Sequence, residues 1–343
     1  MQTQTSSAPV QTQQRFVLAS RPHGHVRESD FSLEVVPLPE VGDGEVLVET
    51  LWISLDPAIR GWLDDRPSYL PPVALGQTIR SIGIGRVVES RAAGVRAGQL
   101  VRGFVNWSNQ SVASWDESWE ILEEVGDVPP LVHLGVLGVP GLTAWVGIKH
   151  IAVPRPGETV FVSGGSGAVG SVAVQLAKAA GSRVVAVAGG HAKCALLRDR
   201  LGVDAAIDYR ADDWLEQLDA ATPDGIDVNF ENVGGPVMEA VIDRLNNHAR
   251  MVLCGLIAGY NMQHRPPGPR NFGLLLTKRI AMEGLIVFDH LHRTDEFRQD
   301  MGRMLDSGQL QVLETVKEGF HNLPAIFASS FGGDHIGKLV VKA

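Results

Sequence analysis

Thr159-Val-Phe-Val-Ser-Gly-Gly-Ser-Gly-Ala-Val-Gly-Ser171 is the stretch on which the fold turns. Val160, Phe161 and Val162 read as a strand covered on both faces. Gly165-x-Gly167-x-x-Gly170 follows at once, with Ser166, Ala168 and Val169 between the glycines. Ser171 to Ala180 is then a helix of small and aliphatic residues, and Gly181 stands where a C-terminal cap belongs. In such a turn the first glycine permits the tight bend. The second lets backbone approach a pyrophosphate, and the third lets helix pack close on strand. The helix N-terminus offers unpaired N–H groups and a positive dipole end to phosphate. Taken alone the pattern is weak, because 38 of the 343 residues are glycine, and an ordinary tight turn would look the same. The next strand, Arg183-Val-Val-Ala-Val-Ala188, completes a βαβ unit of about 30 residues and turns the reading toward a dinucleotide.

The end of that second strand selects the dinucleotide. An NAD site needs Asp or Glu there for the ribose 2′-hydroxyl. This chain has Gly189-Gly190 instead, and the next carboxylate along the chain is Asp199. Lys193 follows, beside His191. An acid-free, cationic pocket suits the 2′-phosphate of NADPH. The competing reading makes Lys193 a solvated lysine in the first turn of the next helix.

Working outward, strands and helices alternate downstream of Thr159: a helix from Ala192 to Leu201, a strand at Ala205–Tyr209, a helix from Asp212 to Ala221. Ile226–Asn232, Arg250–Gly255 and Leu285–Phe288 read as further strands, and Pro236 suits a helix start. The expectation is an α/β doubly wound parallel sheet spanning residues 134–309. Upstream, residues 15–133 show short alternating runs such as Glu45–Ile53 and Ile84–Glu89, separated by turns, which predict a mostly-β domain. Residues 310–343 return to strand character and are expected to rejoin it. Leu134–Gly147 links the two, with a helix predicted from Thr143 to Ile151. Gly259–Asn271 is an irregular loop after a strand end, where lids and ligand sites lie.

Residues 1–14, rich in Gln, Thr and Ser, read as a disordered leader without signal-peptide character. A net charge of −9 argues against a nucleic-acid surface. No apolar run is long enough to span a bilayer. Cys194 and Cys254, the sole cysteines, form no disulfide framework, so a reducing, cytoplasmic setting is expected.

At this point the residues resemble the medium-chain dehydrogenase/reductase superfamily, and within it the zinc-independent branch of prostaglandin reductases, plant double-bond reductases and curcumin reductases. The resemblance rests on Leu55–Gly61, Leu134–Ala144, Gly165–Ser171, Phe230–Gly235, Cys254–Ile257 with Tyr260-Asn261, and Gly337-Lys338. It implies a GroES-like β domain, a Rossmann domain, NADPH and a homodimer. By resemblance the cofactor contacts are the Gly165–Gly170 turn, Lys193, Tyr209, Asn232, Cys254, Gly255, Ile257, Leu285, Ile286, Val287 and His335. Two departures stand out. Ala58 replaces a tyrosine, and His335 replaces an asparagine beside the nicotinamide.

The metal-dependent relatives place Cys and His in the N-terminal domain. No cysteine precedes Cys194 here, and His23, His25, His290 and His292 are pairs without a third ligand, so no metal is expected. Reduction of an activated C=C bond needs none: hydride reaches the β-carbon and a few hydrogen bonds hold the charge on the carbonyl oxygen. Tyr260 is the candidate catalytic donor; the resemblance has it bond the nicotinamide ribose 2′-hydroxyl or the substrate oxygen, with packing as a lid aromatic the plainer alternative. Trp62, Tyr69 and Trp107 are candidates for the substrate wall. Quinone reduction, or NADPH binding without turnover, would use the same fold.

Overall fold

The computed structural model describes residues 11–122, 129–264 and 267–343. Six strands form one parallel sheet. From edge to edge they are Ala205–Asp208, Arg183–Ala188, Thr159–Val162, Ile226–Glu231, Leu245–Leu253 and Ala281–Gly284. Strand period two splits their side chains between two cores. Val160 and Val162 join one with Phe230 and Val252, while Phe161 joins the other with Val185 and Met251. Both faces must therefore be covered, and helices such as Gly170–Ala179 and Gly235–Arg244 cover them. The winding direction reverses between Thr159–Val162 and Ile226–Glu231, which opens a crevice at the carboxyl ends of those two strands.

The second domain is a seven-stranded sheet. Its longest strand, Glu45–Ser54, pairs with Gly83–Ser90, Gln110–Ser114 and the tail strand Lys338–Lys342. Glu314–Glu318 adds to the outer side of the tail strand. The core of this domain gathers Phe16, Phe31, Trp107, Phe320 and Phe327.

Several local expectations need correction. The connecting helix runs Val139–Val146, with Pro140 in its first turn, and continues as a wider π turn over Gly147–Ala152. A Cβ on Gly147 would lie 2.4 Å from the Phe230 ring, so the helix can press onto the sheet only there. The last sheet strand is Ala281–Gly284, four residues earlier than Leu285–Phe288. Its residues are poor strand formers, and it is held by backbone pairing to Arg250–Leu253. Leu285 still donates its N–H to the Leu253 carbonyl, but Val287–Arg293 is a 3-10 turn. The predicted leader extends too far, because Thr12–Gln14 pair with Val35–Pro37. Residues 1–10 lie outside the described residues.

The domains are tied together on both sides of the crevice. Arg60, buried, donates to Asn261 Oδ1 at 3.2 Å and to the Gly24 carbonyl at 3.3 Å. Glu120 takes Arg102 of its own domain and Arg298 of the helix Thr294–Asp306.

Candidate functional site

The glycine turn lies at the crevice. The residue in left-handed conformation is Gly164, with φ of +61°, so the sharp bend comes one residue before Gly165. Gly165 serves another purpose: a Cβ there would lie 2.9 Å from the Ala186 methyl and 3.5 Å from Leu197. Gly170 allows close helix–turn contact, since its Cβ would lie 2.2 Å from the Gly164 carbonyl oxygen. Gly167 has only that same oxygen nearby, at 3.3 Å, which leaves its surface open. Among the described residues no backbone carbonyl takes the N–H of Ala168 or Val169. Those donors sit beside the N-terminus of Gly170–Ala179, where an anion is favoured. Ser166 is buried and its carbonyl accepts the Gly337 N–H at 2.8 Å, so the tail segment lies alongside the turn.

At the second strand's end, Gly189-Gly190 faces Tyr209 and Arg210. A Cβ on Gly189 would meet Arg210 Nε at 2.8 Å and Tyr209 Cε1 at 2.9 Å. The Arg210 guanidinium lies 5.8 Å from the Tyr209 ring centre. Lys193 Nζ donates to the Gly333 carbonyl at 2.5 Å. Its pKa is lowered, first by burial and then by the Arg210 charge. The corner is not acid-free: Asp208 accepts the N–H groups of Gly190 (2.8 Å) and Arg210 (3.0 Å). Sequence distance hid both residues, because the strand Ala205–Asp208 is the sheet neighbour of Arg183–Ala188.

At the other end of the crevice, buried Glu231 organises the backbone. Its carboxylate accepts from Ser163 Oγ, Val233 N and Gly234 N at 2.7–2.8 Å. The Asn232 side-chain amide donates to the Ser163 carbonyl at 2.7 Å, which leaves its oxygen for a ligand. Cys254 and Gly255 donate their N–H groups to the Glu231 carbonyl, and Ile257 donates to Asn232. Burial, and then the charge of Glu231, push the Cys254 thiol up to about 12, so it is no nucleophile. Leu285 and Val287 send their side chains into the core, so backbone and Ile286 are what that segment offers. His335 is half-buried with Nδ1 unpartnered. Burial, then the charges of Lys193 and Lys338, bring its pKa down to about 4. Lys338 itself is 1% exposed and reaches Asp56 at 2.5 Å.

The Tyr260 hydroxyl lies in this end. It accepts a long bond, 3.4 Å, from Leu256 N, and burial raises its pKa. Tyr69, 44% exposed, stands at the mouth with its ring 6.3 Å from Trp62 and 6.0 Å from Phe288. Trp62 is 6% exposed and its Nε1 has no partner. Trp107 does not join them. It is 0% exposed in the β-domain core, packed on Phe16, Phe31 and Phe327, because the bend between the strands Leu100–Gly103 and Gln110–Ser114 is held there by backbone bonds to Phe16 and Ile79.

A family model described as the N-terminal domain of oxidoreductase matches residues 14–121, and one described as zinc-binding dehydrogenase matches residues 168–307. The NADPH-dependent curcumin reductase of Escherichia coli is 41% identical over 339 residues, 97% of each chain. An NADP(+)-dependent 2-alkenal reductase of Nicotiana tabacum is 36% identical over 93% of this chain and 94% of its own. The crystal structure of CurA from Vibrio vulnificus in complex with NADPH superposes with a TM-score of 0.91 at 38% identity, covering 96% of this chain and 99% of that one.

The chain belongs to the medium-chain dehydrogenase/reductase family.

Within this family the second model's description carries the word zinc. Among the described residues no group of three or more His, Cys, Asp or Glu side chains could hold a metal ion. No helix among them is long and apolar enough to cross a membrane. Beyond the positions expected of the family, the crevice brings in Arg210 beside Lys193, Phe288 beside Tyr69, and Asp56 on Lys338. Only the 3-10 turn at Val287–Arg293 aims Phe288 at the mouth, and no local pattern announces that.

Proposed function

We propose that this protein is an NADPH-dependent reductase of the C=C bond in α,β-unsaturated ketones and aldehydes. The observation that carries the reading is one crevice with two unlike ends: a cationic corner around Gly189-Gly190 and a half-buried Tyr260 hydroxyl whose proton has no acceptor among the described residues. The residues fit the cofactor. The open surface of Gly167 and the free N–H groups of Ala168 and Val169 suit a pyrophosphate. Lys193 and Tyr209 suit the 2′-phosphate. Asn232, Gly255, Ile257, the backbone of Leu285–Val287 and His335 line the nicotinamide end. The relatives named above carry NADPH or NADP(+) in their names, which supports the same choice here.

Bound NADPH supplies the hydride that adds to the substrate's β-carbon. Tyr260 donates a hydrogen bond to the carbonyl oxygen, where negative charge collects as the enolate forms. Burial keeps the tyrosine protonated, so it remains a donor. Trp62 and Tyr69 hold the substrate body and narrow the mouth against water. The α-carbon then takes a proton from solvent or from a hydroxyl at the mouth. Tyr69 and Phe288, with rings 6.0 Å apart and tilted by 34°, narrow the mouth from both domains.

The test is product analysis. An enone and NADPH should give loss of nicotinamide absorbance and a saturated ketone heavier by about two mass units, one hydride plus one proton. An allylic alcohol as product, or no NADPH oxidation with any enone or alkenal, would reject this reading. We also expect a homodimer, formed through the outer edge of Ala281–Gly284 next to exposed Phe272 and Leu276.

A further inference from the structure

The segment Gly332-Gly333-Asp334-His335 joins the helix Leu323–Ser330 to the tail strand Lys338–Lys342. Both flanking elements belong to the β domain, through Leu323, Phe327, Leu339 and Val341 in its core. Yet the segment touches the other domain at two places. Its far end meets the glycine turn, where Gly337 bridges Gly167 and donates to Ser166. Its near end is gripped by two cations: Arg210 Nη2 donates to the Gly332 carbonyl at 2.9 Å, and Lys193 Nζ to the Gly333 carbonyl at 2.5 Å. Gly333 has φ of +76°, and a Cβ there would lie 3.7 Å from Arg210 Nη2 and 3.9 Å from Lys193 Nζ. Both cations therefore meet at one point, and Arg210 also stands against Gly189. That is the place the missing carboxylate would hold in an NAD site.

We propose that Arg210 is a second reader of the cofactor's 2′-phosphate, and that this phosphate completes a clamp holding Gly332–Gly333 over the adenosine end of the crevice. The proposal rests on NADPH being the cofactor. Each cation spends one donor on a carbonyl and keeps others, since ammonium and guanidinium groups carry several N–H. A phosphate dianion can therefore bind both without releasing the carbonyls. Asp208 and Asp334 flank the pair. Asp208 is spent on the N–H groups of Gly190 and Arg210, which sets the loop that presents the guanidinium. The β-domain tail and the phosphate then share the same two side chains. Binding of one favours docking of the other, a reciprocal coupling. NADH, lacking the phosphate, gains no such help.

The experiment combines affinity with hydrogen exchange on the full chain. Arg210→Ala should weaken NADPH roughly ten-fold to a hundred-fold, as loss of a charge-assisted contact does, and leave NADH unchanged. Lys193→Ala should act likewise. Adenosine 2′,5′-bisphosphate, which carries the phosphate without a nicotinamide, should slow amide exchange across residues 331–337 in wild type but not in either variant. NADH should protect that segment less than NADPH. Equal losses for NADPH and NADH in Arg210→Ala would mean that the arginine supports the local fold, and would overturn the assignment. Faster or unchanged exchange with the bisphosphate would overturn the clamp. A wild-type chain that binds NADH as tightly as NADPH would reject the cofactor reading itself, and the proposal with it.

Discussion

Replacing Tyr260 by phenylalanine removes one hydroxyl and leaves the ring. In the structure that hydroxyl accepts one long bond, 3.4 Å from Leu256 N, and gives its proton to no acceptor among the described residues. Folding stability should therefore change little, by less than ~1 kcal/mol, because a bond of that length contributes weakly. The catalytic effect should be much larger. A donor aimed at a developing oxyanion acts mainly in the transition state, and its loss can cost ~100-fold in kcat, or about 2.7 kcal/mol. Tyr69 and water at the mouth can replace part of it, so the expected loss is roughly ten-fold to a hundred-fold. The assay is initial-rate kinetics over several enones at saturating NADPH, with cofactor affinity and melting temperature measured separately. Burial raises the pKa of Tyr260 above the ordinary 10.0, so the hydroxyl should impose no falling limb on kcat below that pH. Unchanged kcat with every substrate would refute the donor role. A matching loss of NADPH affinity would reassign the hydroxyl to the nicotinamide ribose.

Other consequences can be measured directly. Gly170→Ala forces a methyl to within 2.2 Å of the Gly164 carbonyl oxygen, so the turn must open; NADPH affinity should collapse and stability fall by ~1–3 kcal/mol in calorimetry. His335 has its pKa depressed from 6.5 to about 4, so in that window the unfolded chain binds more protons than the folded one. Stability should fall as pH drops from 6.5 toward 4, by no more than about 3 kcal/mol, and His335→Asn should flatten that part of the urea-denaturation profile. Light scattering at micromolar protein should give the mass of two chains, and Met282→Pro on the outer strand should yield monomers; a wild-type monomer would end the edge-pairing idea.

The parallel sheet was legible in the chain because local physics dictates it. Val160, Phe161 and Val162 are apolar on both faces, and a strand with both faces apolar must lie under two layers of helix. Gly165, Gly167 and Gly170 suggested a dinucleotide turn only together with the strand Arg183–Ala188 that follows, and Gly189-Gly190 showed that no acid ends that strand. Elements with weak local preference were misplaced. Ala281–Gly284 is a strand through its partner's backbone, while Leu285–Phe288 looks like a strand and is not one. Which glycine bends the turn also escaped the motif, since Gly164 holds the positive φ and Gly165 makes room for Ala186. Trp62 and Trp107 are buried in the β-domain core while Tyr69 is exposed, and nothing in the sequence tells a core aromatic from an exposed one. Contacts between distant segments were decided only by the tertiary structure. Arg210 meets Lys193 because neighbouring strands of a doubly wound sheet end together, and both meet Gly332 and Gly333 because the tail crosses from the other domain. A chain encodes its local preferences residue by residue, whereas a site whose two cations hold carbonyls more than a hundred residues further along exists only once the domains have closed on each other.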